Sequence, residues 1–173
     1  MDLNLEAHDT HNPIAWSLYY EEQKKESLRR SQEFRATRIP KFLEHFSSQL
    51  EANPDNKNQG EELHLIGNKM TTADLALFHV WCGIEHAFPK RMATMRRGQK
   101  YDNVFKLVEQ VAASENIATY LGSERRTPFG MGIFRSVVSL GNPTITHGSL
   151  GIIRSLMASE SSPEKEEKKY KSV

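Results

Sequence analysis

The fold of this chain is decided by the stretch GNKMTTADLALFHVWCGIEHAFPK, residues 67–90. Thr71 and Asp74 stand three residues apart, just before a long apolar run. This spacing predicts a capping box, in which each side chain bonds the backbone N–H of the other residue. Asp74 would also lie near the positive end of the helix dipole. The stretch therefore predicts a helix that begins at Thr71 and runs to about His86.

Residues around this cap add to the same structural motif. Met70 and Leu75 occupy the positions of a hydrophobic staple, and Gly67 precedes them in the turn. Apolar side chains are spread around the whole circumference of the helix, which predicts a central helix surrounded by other helices. We expect its histidines, His79 and His86, to be structural and hydrogen-bonded.

Helical patterns flank the central helix on both sides. A charged stretch from Glu21 to Arg38 is rich in strong helix formers and leads into an apolar stripe that reaches Leu50. Pro40 should kink this helix or mark a restart. Residues 3–20 predict either a kinked helix or a short helix that restarts at Pro13. Residues 101–113 and 114–121 predict two final helices, with Gly122 as the terminator.

The predicted organisation is all-α: about five helices in a bundle around the buried central helix, with a flexible C-terminal tail. Residues 1–126 form the helical domain, 127–158 an irregular extension and 159–173 a disordered, charged tail. Within the domain, residues 51–62 predict a polar loop and residues 90–100 a basic connector.

Composition excludes several classes of function. The chain has 23 basic and 22 acidic residues, so it has no large positive excess with which to bind nucleic acid. Its most apolar run, Ala73–Phe88, is too short and too polar for a membrane span, and no secretory leader is visible. Cys82 is the only cysteine, which excludes an internal disulfide and favours a cytoplasmic location. Within an apolar helix, Cys82 should be inert packing.

These motifs occur together in one known family. The string Gly67–Asp74 resembles the capping motif of the C-terminal domain of glutathione transferases, where Gly, an apolar residue, Ser or Thr, and Asp open the central helix. RIPKFLEHF (38–46), TTADLALFHVWCGIEHAFPK (71–90) and ENIATYLGSERR (115–126) follow in the family's order and spacing. The resemblance covers about residues 6–135 and is greatest to sigma-like transferases of fungi and other lower eukaryotes.

The resemblance implies a divided function. A complete transferase has an N-terminal thioredoxin-like domain, which binds glutathione and supplies the residue that activates its thiol. No such segment is expected in this chain, so no catalytic residue is assigned and no intrinsic cofactor is expected. Glutathione would be a co-substrate only with a thioredoxin-like domain supplied, and the chain alone should be a weak or inactive transferase. A truncated gene model, a splice product, a true single-domain protein and a degenerate remnant would each give this pattern.

What the helical domain adds in this family is a wall of the hydrophobic electrophile site. The candidates are His8, His11, Trp16 and Tyr19, although packing would also explain Trp16 and Tyr19. Asp9 is a candidate for contact with glutathione in a partner subunit.

Other kinds of site have less support. His8 and His11 could share a helix face, but no third metal ligand is identifiable, so no metal site is expected. The alternative function is a protein-interaction or scaffold module, because apolar surface left on the first helix would favour a partner. The partners expected are a second copy, another protein or a hydrophobic small molecule.

Overall fold

A computed structural model describes residues 2–14, 18–58, 62–130 and 132–135. The described residues form an all-α fold, as the sequence predicts, and contain no strand. In chain order the helices are α1 (Asp2–His11), α2 (Tyr20–Glu33), a π-helical turn (Phe34–Arg38), α3 (Ile39–Ala52), α4 (Asp55–Asn58), α5 (Thr72–Ala87), α6 (Pro89–Arg97), α7 (Asp102–Ala113) and α8 (Glu115–Leu121). The predicted tail (159–173) and the predicted extension from residue 136 onward lie outside the described residues.

Helices α2 and α3 and the π turn between them form one continuous helical segment. Pro40 explains why the π turn forms. Pro40 has no N–H to donate and is the second residue of α3, just after the π turn. The chain adapts with a wider hydrogen bond, in which the N–H of Ile39 reaches the carbonyl of Phe34. The helix thus passes Pro40 without a break in its helical assignment.

Several boundaries differ from the sequence prediction. Helix α1 ends at His11, and no helix restarts at Pro13; the next helix begins at Tyr20. A reason lies in Gln23 of α2, whose side-chain oxygen accepts from the N–H of Ile14 and whose amide donates to Leu18 O. These bonds satisfy the backbone N–H of Ile14 and the carbonyl of Leu18 with one side chain of α2.

Both predicted connectors contain helix. Helix α3 runs two residues into the predicted polar loop, and α4 forms within it. The loop is also less solvated than expected, because Asn53 is buried. The predicted basic connector is largely helix α6, with Pro89 in its first turn.

The apolar core lies mainly between α5 and α7. Trp81 is fully buried and its ring meets Phe105 edge-on, at 5.5 Å between centroids. Val104 and Val111 of α7 are also fully buried. Helix α5 is not covered on every side, since Ala76 and His79 are exposed. The expectation of complete burial was wrong there because small and polar residues occupy that face.

The predicted capping box is present. Asp74 is fully buried and accepts the backbone N–H of Thr71 at 2.7 Å and that of Leu65 at 2.9 Å. The hydroxyl of Thr71 donates to the same carboxylate at 2.8 Å. The carboxylate therefore fixes both the start of α5 and the loop before it. Met70 is 38% exposed, and its staple with Leu75 stays a prediction.

Side-chain amides hold the rest of this loop. Gln110 of α7 accepts from the N–H of Leu63 at 2.7 Å and donates to its carbonyl at 3.0 Å. Asn53 donates to the carbonyls of His64 and Gly67, each at 2.8 Å. Gly67 has a φ of +65°, a left-handed conformation that favours glycine.

The described residues after α8 pack back onto α5. The ring of Phe134 covers Gly83, so that a Cβ on Gly83 would lie 2.3 Å from it. Phe129 lies beside His86 and His79, with ring centroids 5.5 and 6.0 Å away. His79 is an exposed ring against two phenylalanines. The expectation that it is buried was therefore wrong, and its hydrogen bonding stays a prediction.

Candidate functional site

The first two helices and the π turn line a groove of about 590 Å³. It lies on the element from which the sequence predicts ligand contacts. Polar and charged side chains make up most of its wall, and the residues that line it are Glu6, Thr10, Pro13, Ile14, Glu26, Arg29, Arg30, Gln32, Glu33, Phe34 and Arg38.

Each arginine of this groove has a carboxylate partner: Arg38 and Arg30 pair with residues of α1, and Arg29 pairs with Glu26 within α2. Arg38 forms a two-pronged ion pair with Glu6, which ties the π turn to α1. Arg38 also lies over the ring of Phe42, 5.2 Å from its centroid. This arrangement raises the pKa of Arg38, mainly through its hydrogen bond with Glu6. These pairs were not predicted, since Glu6 and Arg38 are 32 positions apart and show no spacing signal.

His8 and Asp9 lie together on α1, beside the groove and not in its wall. The Nδ1 atom of His8 is 3.1 Å from the Asp9 carboxylate. A second carboxylate oxygen of Asp9 lies 3.7 Å from Arg30. The Asp9 side chain is 43% exposed, so it is accessible to a ligand or partner. The glutathione contact assigned to Asp9 stays a prediction.

His11 is placed differently from what the sequence suggested. It is 1% exposed and stacks on Phe88, at 6.2 Å between centroids and 9° between ring planes. Burial, with smaller contributions from Arg135 and His8, lowers the pKa of His11 to about 4. His11 is therefore neutral at pH 7 and covered, and it is better described as a packing residue than as a wall for substrate.

The remaining wall candidates separate into two cases. Trp16 lies outside the described residues. Tyr19 is 82% exposed, and Ile14 and Leu18 beside it are 59% and 37% exposed. Together Ile14, Leu18 and Tyr19 form an exposed apolar edge, which we call the α1–α2 edge. Sequence reasoning missed Ile14 and Leu18 because nothing in their spacing distinguishes them from core residues.

No thiolate or metal chemistry is apparent at the other candidate positions. Cys82 is partly buried, and desolvation raises the pKa of its thiol to about 12. The inert character predicted for it is consistent with this, because the thiolate is the reactive form. Among residues 2–14, 18–58, 62–130 and 132–135, no cluster of three His, Cys, Asp or Glu side chains is arranged for a metal ion. None of the described helices combines the length and apolar character that crossing a membrane requires.

Comparison with known proteins gives one family. The family model described as "Glutathione S-transferase, C-terminal domain" matches residues 8–124. The match covers more than half of the chain and includes the capping motif, both helices of the apolar core and the last four residues of α1. A search of curated proteins returns no match.

Proposed function

The chain belongs to the glutathione S-transferase C-terminal domain family, and on that premise we propose that it forms the helical half of a transferase-type protein. In this role it contributes an electrophile-facing surface and a docking surface. Thiol activation belongs to a thioredoxin-like domain, with which glutathione would enter as co-substrate. A cytoplasmic location is part of the proposal and is supported by the single cysteine.

One observation carries the proposal: the family's fold is combined with a groove whose cations are already paired. Activating the glutathione thiol requires a donor or positive charge at the sulfur. The groove's best cation, Arg38, is bound to Glu6. The imidazole of His11, on the helix that lines the groove, is buried and neutral at pH 7. We therefore propose that the 173-residue chain alone conjugates glutathione slowly or not at all.

The exposed residues of α1 and of the α1–α2 edge support the proposed surfaces. Tyr19 offers a large, accessible aromatic face that would suit an electrophile once a second domain closes against it. Asp9 lies in α1 with an accessible side chain, which suits the proposed contact with glutathione. Neither residue is needed for the core, so both are available for function.

A conjugation assay tests the proposal. The purified chain is mixed with glutathione and 1-chloro-2,4-dinitrobenzene, and the thioether product is followed by absorbance. We expect a rate equal to the protein-free reaction. The assay is repeated with an excess of a thioredoxin-like domain from a sigma-type transferase, and a rise above the sum of the separate rates would support complementation. Saturable turnover by the chain alone would contradict the proposal.

A second function, as a protein-interaction module, is favoured by the α1–α2 edge itself. Exposed apolar patches rimmed by polar residues are typical of interaction sites. We expect concentration-dependent self-association of the chain in sedimentation equilibrium, weakened by Ile14→Asp. The matched control is Ile66→Asp, because Ile66 is 65% exposed but lies before α5. A monomer at all concentrations, with no second protein bound, would count against this function.

A further inference from the structure

A second cavity, separate from the groove on α1, lies between α5, α8 and the chain that leaves α8. Its volume is about 260 Å³. This is slightly below the range of roughly 300–1,000 Å³ typical of sites for drug-sized ligands. A ligand of one or two rings would fill it. The apolar part of its wall consists of Leu75, Phe78, Ile117, Leu121 and Phe129.

Contacts outside the cavity hold its aromatic wall in place. Phe129 packs edge-on against Phe134, with ring centroids 5.6 Å apart. Phe134 in turn covers Gly83 of α5. Phe129 also stacks on His86 at an interplanar angle of 30°. The wall is therefore largely formed before a ligand arrives, which lowers the ordering cost of binding.

One charged side chain, Arg126, lines this apolar cavity. Its charge reaches the interior, because it acts on the Cys82 thiol and opposes the rise in the pKa of that thiol. Glu85 acts on the same thiol in the opposite sense, but its carboxylate bonds Arg96 at 3.2 Å. Among the described residues, no carboxylate lies within ion-pair distance of Arg126.

Three other cations of the fold that contact aromatic rings have carboxylate partners. Arg38 pairs with Glu6, and Lys100 with Glu44 at 2.7 Å. Arg96 pairs with two carboxylates. Arg126 differs from these three in facing an apolar cavity, with no acidic partner among the residues that the structure describes. A guanidinium in that position matches a ligand carboxylate, which it can bind through two parallel hydrogen bonds.

We propose that the cavity between α5 and α8 binds a small aromatic carboxylate. The ring lies among Leu75, Phe78 and Phe129, and the carboxylate bonds Arg126. Tyr120 and His79 complete the wall and offer further polar groups. The inference is independent of transferase activity, because the site shares no residue with the groove on α1.

Cys82 supplies a reporter for the test, since it lines the cavity and is the only cysteine in the chain. Binding of 2-naphthoate to the 173-residue chain is measured by isothermal titration calorimetry, with 2-naphthamide as the uncharged analogue. Separately, alkylation of Cys82 by excess N-ethylmaleimide, which is slow because the thiolate is rare, is followed for hours with and without naphthoate. We expect one naphthoate per chain, weaker binding of the amide and slower alkylation when naphthoate is bound.

Two variants test the assignment of the charge. Arg126→Gln should weaken naphthoate binding by roughly tenfold or more, since it removes a charge-assisted bond, and should leave naphthamide binding unchanged. Arg125→Gln is the matched control, because Arg125 is exposed and does not line the cavity; it should bind as the wild type does. Thermal unfolding checks that both variants fold.

Three results would overturn the proposal. They are the absence of naphthoate binding, binding that leaves the alkylation of Cys82 unchanged, and equal losses in the Arg125 and Arg126 variants.

Discussion

The two helix pairs of this domain are held together by different chemistry. Between α5 and α7 the buried side chains are almost all apolar, with Trp81 against Phe105 at their centre. On α1 and α2 most of the buried side chains are polar, and they comprise Thr10, His11, Gln23, Ser27 and Ser31 with Leu3 and Ala7. Apolar burial is the dominant stabilising contribution in folding, whereas hydrogen bonds contribute little net free energy. The comparison teaches that the fold is secured at α5–α7, while α1–α2 is left with surface and polar groups that a ligand or partner can use.

The largest expected effect tests whether the cap of α5 anchors the stronger pair. Replacing Asp74 by Ala removes a buried acceptor and leaves the N–H groups of Leu65 and Thr71 unpaired. We expect a loss of about 3 kcal/mol in the free energy of unfolding, combining a lost cap with buried, unsatisfied donors. Urea denaturation measures it. Asp102→Ala is the control, because Asp102 is an exposed acid in the first turn of α7, and a loss as large there would contradict the role given to Asp74.

The next prediction concerns the effect of low pH on the stability of the α1–α2 pair. The folded-state pKa of His11 is lowered from 6.5 to about 4, so the unfolded chain binds its proton first as the pH falls. Neutral His11 therefore makes its full contribution to the free energy of unfolding above pH 6.5, and this contribution is lost as the pH falls toward 4. His11→Phe keeps an aromatic ring against Phe88 and removes the titration. Its free energy of unfolding should gain about 2 kcal/mol relative to the wild type between pH 7 and pH 5, at 1.36 kcal/mol per pKa unit.

Urea denaturation of both proteins at the two pH values checks this. The wild type alone would not suffice, because other groups also contribute to the pH dependence of stability; burial, for example, raises the pKa of Glu85. A constant difference between wild type and His11→Phe at both pH values would contradict the buried, neutral state of His11.

A smaller effect is expected where the chain after α8 meets α5. Gly→Ala in a helix normally stabilises by up to about 1 kcal/mol. In Gly83→Ala the new methyl group would overlap the ring of Phe134, so we expect a net loss of about 1–2 kcal/mol from overpacking. The matched background is Phe134→Ala, where Gly83→Ala should become stabilising. Thermal unfolding of the four proteins decides it, and a loss that persists without Phe134 would contradict the contact.

The smallest expected effect compares a buried polar residue of the α1–α2 pair with a buried apolar residue of the α5–α7 pair. The hydroxyl of Ser27 is fully buried and has no hydrogen-bond partner among the residues that the structure describes. Ser27→Ala should therefore leave the free energy of unfolding within about 0.5 kcal/mol of wild type, or raise it. Val111→Ala in α7, also fully buried, should cost about 1–2 kcal/mol. Equal losses from the two changes would remove the distinction between the pairs.

The sequence predicted the apolar pair well. Helical spacing of apolar residues identifies α7, and Thr71 with Asp74 identifies the start of α5, because both signals are local. The hydrogen bond from the Leu65 N–H to the Asp74 carboxylate was not predicted, because it depends on where the preceding loop lies. The hydrogen bonds from the side-chain amides of Asn53 and Gln110 to the loop backbone were missed for the same reason. They join residues up to 47 positions apart.

The candidate site was less predictable. Residues of the right helix were selected, but the groove is lined by Glu6, Thr10 and Ile14 rather than by His8 or His11. In a helix that packs through polar residues, apolar periodicity does not show which face is buried. The cavity beside Arg126 involves α5, α8 and an irregular segment, and no sequence spacing links those three elements.

Native-state hydrogen exchange tests the central contrast between the two pairs most directly. The exchange free energy of backbone amides is measured along the chain at pH 7. We predict the slowest exchange, near the global free energy of unfolding, in the middle of α5 and α7, and much faster, sub-global exchange throughout α1 and the first turns of α2. Amides of α1 that exchange as slowly as those around Trp81 and Val108 would contradict the account.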